Sequence, residues 1–264
     1  MIGHIGTIFI IESLKKGELK TGSELYNDTL EKHYKYYPDI KDKLIFRLFV
    51  VENRNEFFDS INYIKYNCKT TKLGILLHLE MHGGKDAGLQ LSNEEIIHWK
   101  ELTDYLTYIN LEACNKLYIC MATCYGRSIY NAMDLKQTSP FCGYISASKP
   151  IKPIEILDDY RIIYENILES HNLIMAFEKL ESKNKSSSFF YKDTDAVFKE
   201  VMEFTFAQIE NNENAKEEYF KGVYDQLKEN EINRTEIEIQ EVYEIVKKDF
   251  ENLYYPKFTL KNCH

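Results

Sequence analysis

The sequence predicts an α/β protein with a mostly parallel central sheet, covered on both faces by helices and extended by helices at its C-terminal end. Three observations predict it. Short runs such as LIFRLFVV (44–51) and LGILLHLEM (73–81) are apolar almost throughout. Strands apolar on both faces need cover on both, as in parallel sheets built from helical crossovers. Amphipathic helical patterns separate those runs, and beyond residue 185 the texture changes to charged helical patterns with apolar stripes.

Taken in order, Thr7 to Ile11 (TIFII) reads as the first strand. Leu25 to Tyr37 is tyrosine-rich and stops at Pro38, a break signal. The second strand is 44–51. Glu56 to Tyr66 carries Phe57, Ile61, Ile64 and Tyr66 at helical spacing. The third strand, 73–81, runs into His82, Gly83 and Gly84. Ser92 and Glu95 form a capping box that opens a helix with the stripe Ile96, Trp99, Leu102, Leu106 and Ile109. Leu117 to Thr123 (LYICMAT) is the fourth strand and meets Cys124. Phe141 to Ala147 is the fifth, with a helix over Ile156 to Leu168 behind it. A polar loop (182–188) precedes a short strand at Phe189 to Lys192. Helical patterns follow at Asp195–Ile209, Ala215–Leu227 and Glu236–Phe250. The expected organisation is a core over 1–185, with 186–264 supplying a last strand and a helical extension packed on the same domain.

Composition narrows the function classes. A chain of 264 residues, 44% hydrophobic, has material for one large domain or two small ones. Its net charge of −9 and its lack of a long basic run argue against a nucleic-acid partner. No segment reaches the roughly 18 apolar residues of a membrane span. The opening MIGHIGTIFIIESLKK has its first lysine after the apolar part, so it reads as a buried strand and not an export signal. Six cysteines without a CxxC pair read as thiols in a reducing compartment, which gives a cytoplasmic expectation. Cys120 and Cys124 lack a second pair to complete a zinc site.

In open parallel sheets, sites form beyond the carboxyl ends of the strands. His82 and Cys124 fall there, after consecutive strands. A neighbouring imidazole can deprotonate a thiol and later protonate the leaving group. Gly83, Gly84 and Gly126 permit tight turns and close approach of a peptide backbone. Backbone N–H groups at Gly83 or Cys124 are then placed to face a developing oxyanion.

The segments HLEMHGG and YICMATCYG, with His82 and Cys124 42 residues apart, resemble the caspase-like fold of clan CD cysteine peptidases. The nearest branch is the prokaryotic CHAT type. The resemblance spans roughly Ile2 to Leu168 and includes KDAGLQLSNEEIIHWKELTDYL and FCGYISASKPIKPIEILDDYRIIYENIL. It implies a three-layer caspase-like sandwich and a cysteine endopeptidase. His82 is then the acid/base, Cys124 the nucleophile, and the Gly83 and Cys124 amides the oxyanion hole. The implied partners are a protein or peptide substrate and a regulatory protein. Relatives in this branch act in bacterial antiviral defence, some by cutting a gasdermin. The chain reads ATCYG where metazoan caspases carry a QAC-type motif, and it has no acidic cleavable linker between the fourth and fifth strands. Aspartate specificity and self-cleavage are therefore not carried over.

Asp86, Asp134, Ser146 and Ser148 stand near the strand ends as candidates for the pocket beside the scissile bond, where an acid would favour Lys or Arg. His78, Glu80 and His82 alternate along one strand row. A zinc peptidase would instead carry HExxH on a helix, so His78 reads as a packed core residue. Glu80 remains an alternative orienting group for His82. The chemistry proposed needs no metal and no cofactor. Two rival readings stay open: a non-catalytic binding module of the same fold, and a cysteine hydrolase acting on a small amide.

Overall fold

The computed structural model describes residues 2–37, 44–69, 71–212, 214, 218, 221 and 236–260. Its strands are β1 (Ile5–Ser13), β2 (Ile45–Val50), β3 (Gly74–Gly84), β4 (Gly88–Gln90), β5 (Ile96–Ile97), β6 (Leu117–Ala122), β7 (Gly143–Ala147) and β8 (Phe189–Asp193). The sheet order is β2-β1-β3-β6-β7-β8. The first five of these run parallel, and β8 closes the far edge antiparallel to β7. The arrangement is a three-layer α/β/α sandwich whose topology is consistent with the caspase-like expectation.

Period-two alternation sorts the side chains into two cores. Ile8, Ile10, Leu76, Cys120, Ala122 and Ile145 face one layer. That layer holds α1 (Thr21–Glu24), a π-helical stretch (Leu25–Glu31), α2 (Lys32–Tyr36), α5 (Pro153–Ser170) and α6 (Leu173–Lys183). Phe9, Ile11, Leu77, Leu79, Ile119 and Met121 face the other. There lie α3 (Arg54–Cys68), α4 (Trp99–Glu112), α7 (Thr194–Glu210) and α8 (Glu236–Phe258). Side chains cap three of these helices, with Asn53, Asn172 and Asp193 accepting from first-turn N–H groups. Pro153 opens α5 where its missing N–H costs nothing.

The structure departs from the sequence reading at several points. The capping box at Ser92 does not form. Ser92 to Glu95 is a turn closed by Leu91 N–H to the Glu95 carbonyl at 2.9 Å. Ile96 and Ile97 then pair with β4 as β5, and α4 begins only at Trp99. Burial of Leu89 and Ile97 satisfies the apolar residues that read as the start of a helical stripe. α6 was not expected, and it is set off from α5 by His171 in the left-handed region, φ 53°. The pattern at Ala215–Leu227 lies outside the described residues. The expected last strand belongs to the main sheet, and α7 and α8 bury Val197, Phe198 and Phe258 in its core. At the opposite edge, β2 exposes Ile45 and Val50, and the Arg47 guanidinium lies 4.2 Å from the Tyr63 ring centroid.

Candidate active site

The sequence places the end of the third strand at Met81, but β3 runs on to Gly84. His82 and Gly83 pair with Gln90 and Leu89 of β4 in an antiparallel extension beyond the sheet. The turn that follows is braced by the Trp99 indole N–H, which lies 3.2 Å from the Gly84 carbonyl oxygen and 3.3 Å from that of Lys85. His82 thus sits on paired backbone and not on a free loop.

β3 and β6 share a register that pairs Ile75 with Leu117 and Glu80 with Ala122, an offset of 42 residues throughout. The ladder ends there, and His82 and Cys124, also 42 residues apart, lie two residues beyond it, His82 paired with β4 and Cys124 in a turn. Side chains level with each other on adjacent parallel strands share a face. The approach is close: a Cβ on Gly83 would stand 2.1 Å from the Cys124 carbonyl oxygen and 2.2 Å from Thr123 Oγ1. No larger residue fits there without parting the two strand ends. After Cys124 the chain turns at Tyr125, φ 55° and ψ 24°, into a 3₁₀ turn over Gly126–Ala132. A left-handed tyrosine is a strained conformation that the surrounding structure must hold.

His82 Nε2 lies 2.9 Å from Glu18 Oε1, and the two side chains are 47% and 35% exposed. The same carboxylate accepts the Lys15 N–H at 2.6 Å. Partial burial raises the Glu18 pKa. The hydrogen bonds from His82 and Lys15 and the charges of His82 and Lys20 outweigh it, so the carboxyl is held below its ordinary range. Glu18 is therefore a carboxylate set to orient an imidazole. Cys124 is partly buried, and its Sγ accepts the Ile151 N–H at 3.5 Å. His82 and Cys124 are not hydrogen-bonded to each other: each has another partner. Burial pushes up the thiol pKa of Cys68, Cys120 and Cys142.

A second histidine–glutamate pair lies on the same strand. His78 Nε2 is 3.0 Å from Glu80 Oε2, with both side chains essentially sealed at 0% and 2% exposure. Tyr164 Oη lies 2.8 Å from His78 Nδ1. Burial raises the Glu80 pKa, against the hydrogen bonds from His78 and Thr21, and the neighbouring charge of Glu12 raises it further. The Glu80 carboxylate is thus committed to His78, and the reading of Glu80 as the group that orients His82 is corrected in favour of Glu18. Glu18 lies 64 residues before His82 in an unpatterned loop, so nothing in the sequence singles it out.

His78, Glu80 and His82 do not converge: two close on each other in the core and the third turns to Glu18 at the surface. Among the described residues no group of three or more His, Cys, Asp or Glu side chains is placed to hold a metal ion. The four pocket candidates are scattered. Asp86 is exposed in the β3–β4 turn. Asp134 accepts from Lys136 N–H and Gln137 within its own turn. Ser146 is fully buried under Gly126, where a Cβ would stand 2.2 Å from Ser146 Oγ. Ser148 lines a cleft beside Tyr125.

No protein-family model matches this chain, and no curated protein is detectably similar to it. Among the described residues no helix is long and apolar enough to cross a membrane.

Proposed function

We propose that the protein is a cysteine endopeptidase of the caspase-like type. The observation that supports this reading best is the β3–β6 pairing, whose 42-residue offset runs as far as Glu80 and Ala122, two residues before His82 and Cys124. In this reading the Cys124 thiol gives its proton to His82, and the thiolate attacks the scissile carbonyl. The tetrahedral oxyanion is met by the Gly83 and Cys124 amides. His82 then protonates the leaving amine, and water attacks the thioester to release the acid and the free enzyme. Glu18 fixes the ring and stabilises its protonated form. Cys124 first has to leave the Ile151 N–H, in keeping with the loose catalytic geometry of unliganded sites. The substrate is a protein partner in the cytoplasm. A bacterial gasdermin or another antiviral-defence protein is the class that the sequence resemblance points to.

The rival binding-module reading draws on one fact: both dyad members are bonded elsewhere. A peptidyl electrophile separates the two. Covalent labelling at Cys124 that depends on His82 supports the peptidase; an intact, folded protein that takes no label ends it. Because thiolate, imidazole and amides suffice for the steps above, turnover is expected to survive EDTA and to stop with a thiol alkylator. Activity restored only by zinc would overturn the mechanism.

A further inference from the structure

A cleft of about 960 Å³ opens beside the proposed dyad, between the turn after Cys124 and helix α7. Its near rim carries Lys85, three residues after His82, and Tyr125, next to Cys124. Its far wall is α7, with Glu200 and Phe204. The Cys124 sulfur lies against Ile151, on the α5 side of the sheet. Tyr130 and Val201, which also line the cleft, belong to the core on the opposite side. The cleft therefore starts at the strand ends and turns the corner of the sheet. It is out of line with the residue beside the scissile bond and suits a segment some distance along the chain.

Its chemistry departs from that of the whole molecule, whose net charge is −9. Lys85 is exposed and makes no ion pair among the described residues. Arg127 is half exposed and meets Glu200 at 3.4 Å, while the other oxygen of Glu200 is held by Lys192. The acid in the wall is thus shared between two cations, which leaves both cleft cations with unfilled capacity for an anion. Two aromatic side chains complete the lining. Tyr130 lies under the Arg127 guanidinium, whose carbon is 5.7 Å from the ring centroid. Phe204 stands in the far wall with its ring 58% exposed.

We propose that this cleft binds an acidic, aromatic-bearing segment of the protein substrate, a role that rests on the peptidase reading for the word substrate but not for the binding itself. Lys85 and Arg127 receive carboxylates, and Phe204 and Tyr125 receive an aromatic ring. Opposite charge across such a contact steers encounter and sets specificity.

The test uses the full-length Cys124→Ala protein, so that nothing is cleaved. Anisotropy of a fluorescein-labelled peptide of alternating Glu and Phe is compared with its Lys and Phe counterpart. The acidic peptide is expected to bind and the basic one not. Binding should weaken as salt is raised and fall about tenfold when Lys85→Gln and Arg127→Gln are combined. Phe204→Ala, at an exposed position that folding does not need, should weaken it as well. Equal binding of both peptides, or unchanged affinity in the double variant with a normal circular dichroism melt, overturns the proposal. The peptidase reading is tested apart from this by electrophile labelling of the unmodified protein: label without acidic-peptide binding removes the cleft alone, and binding without label removes the peptidase alone.

Discussion

Two histidines four residues apart on strand β3 each pair with a glutamate, and environment gives the two pairs opposite electrostatics. His78–Glu80 is sealed between sheet and helix α5, and its carboxyl is raised. His82–Glu18 stands at the open strand end, and its carboxyl is lowered. In each, burial raises the carboxyl and hydrogen bonds lower it. Full burial wins in the first pair and the hydrogen bonds win in the second. The inner pair is sealed in the core; the outer one is open to solvent.

The largest effect that tests this contrast is loss of turnover. His82→Ala and Cys124→Ala are each expected to abolish proteolysis while the melt moves by only a few degrees, since exposed ion pairs contribute about 0–1 kcal/mol. His78→Ala should do the reverse: measurable activity, with stability down by roughly 3 kcal/mol or more. That variant leaves a cavity, the Tyr164 hydroxyl and the Glu80 carboxyl without their partner. Turnover assays beside thermal melts decide, and full activity in His82→Ala would end its acid/base role.

Next in size are the two carboxylates. Glu18→Gln is expected to lower kcat about tenfold with little change in the melt, because it leaves the imidazole unoriented. Glu80→Gln acts on the pH profile of stability. A raised folded pKa means that the native state holds the proton more tightly. The stabilisation from Glu80 is complete below its ordinary value of 4.5 and is lost as pH rises through the raised one. The melt of the unmodified protein should therefore fall with pH across that window, and Glu80→Gln should flatten the fall. Glu18 has the opposite sign: its contribution is present above 4.5 and lost as pH falls through its lowered pKa. A steeper fall in Glu80→Gln would reverse the assignment.

The smallest effect is one of labelling order. Brief iodoacetamide treatment should spare Cys68, Cys120 and Cys142, whose thiols burial holds protonated. Among the described residues Cys124 and the exposed Cys114 remain as targets. Only Cys124 should slow, by a few-fold, in His82→Ala. Equal slowing at both sites, read by peptide mapping, would show a global change and not a dyad.

β3 and β6 were legible because long apolar runs mark buried strands directly, although β3 runs three residues past the expected end at Met81. The two strands pair at an offset of 42 residues as far as Glu80 and Ala122. Glu18 was not legible, because a contact between a loop and a strand 64 residues apart leaves no local pattern. The β4–β5 hairpin was missed for a different reason. Leu89-Gln90 and Ile96-Ile97 are too short to show a period, and Ile96 also fitted the helical stripe. Within the row HLEMH, His78 is the packed core residue that the sequence suggests, and His82 is exposed.

The open side of β2 bears on how the protein behaves at concentration. Among the described residues nothing pairs that edge, and Ile45 and Val50 face outward along it. An uncovered apolar strand is a template for a second copy of itself. Within LIFRLFVV the sole charge is Arg47, drawn over the Tyr63 and Phe49 rings. Along β2, one guanidinium is thus the only charge that interrupts the apolar edge. Arg47→Val would leave eight uninterrupted apolar residues on a sheet edge, the composition from which chains stack into fibres, and light scattering should then rise with concentration while the monomer's fold stays as it was.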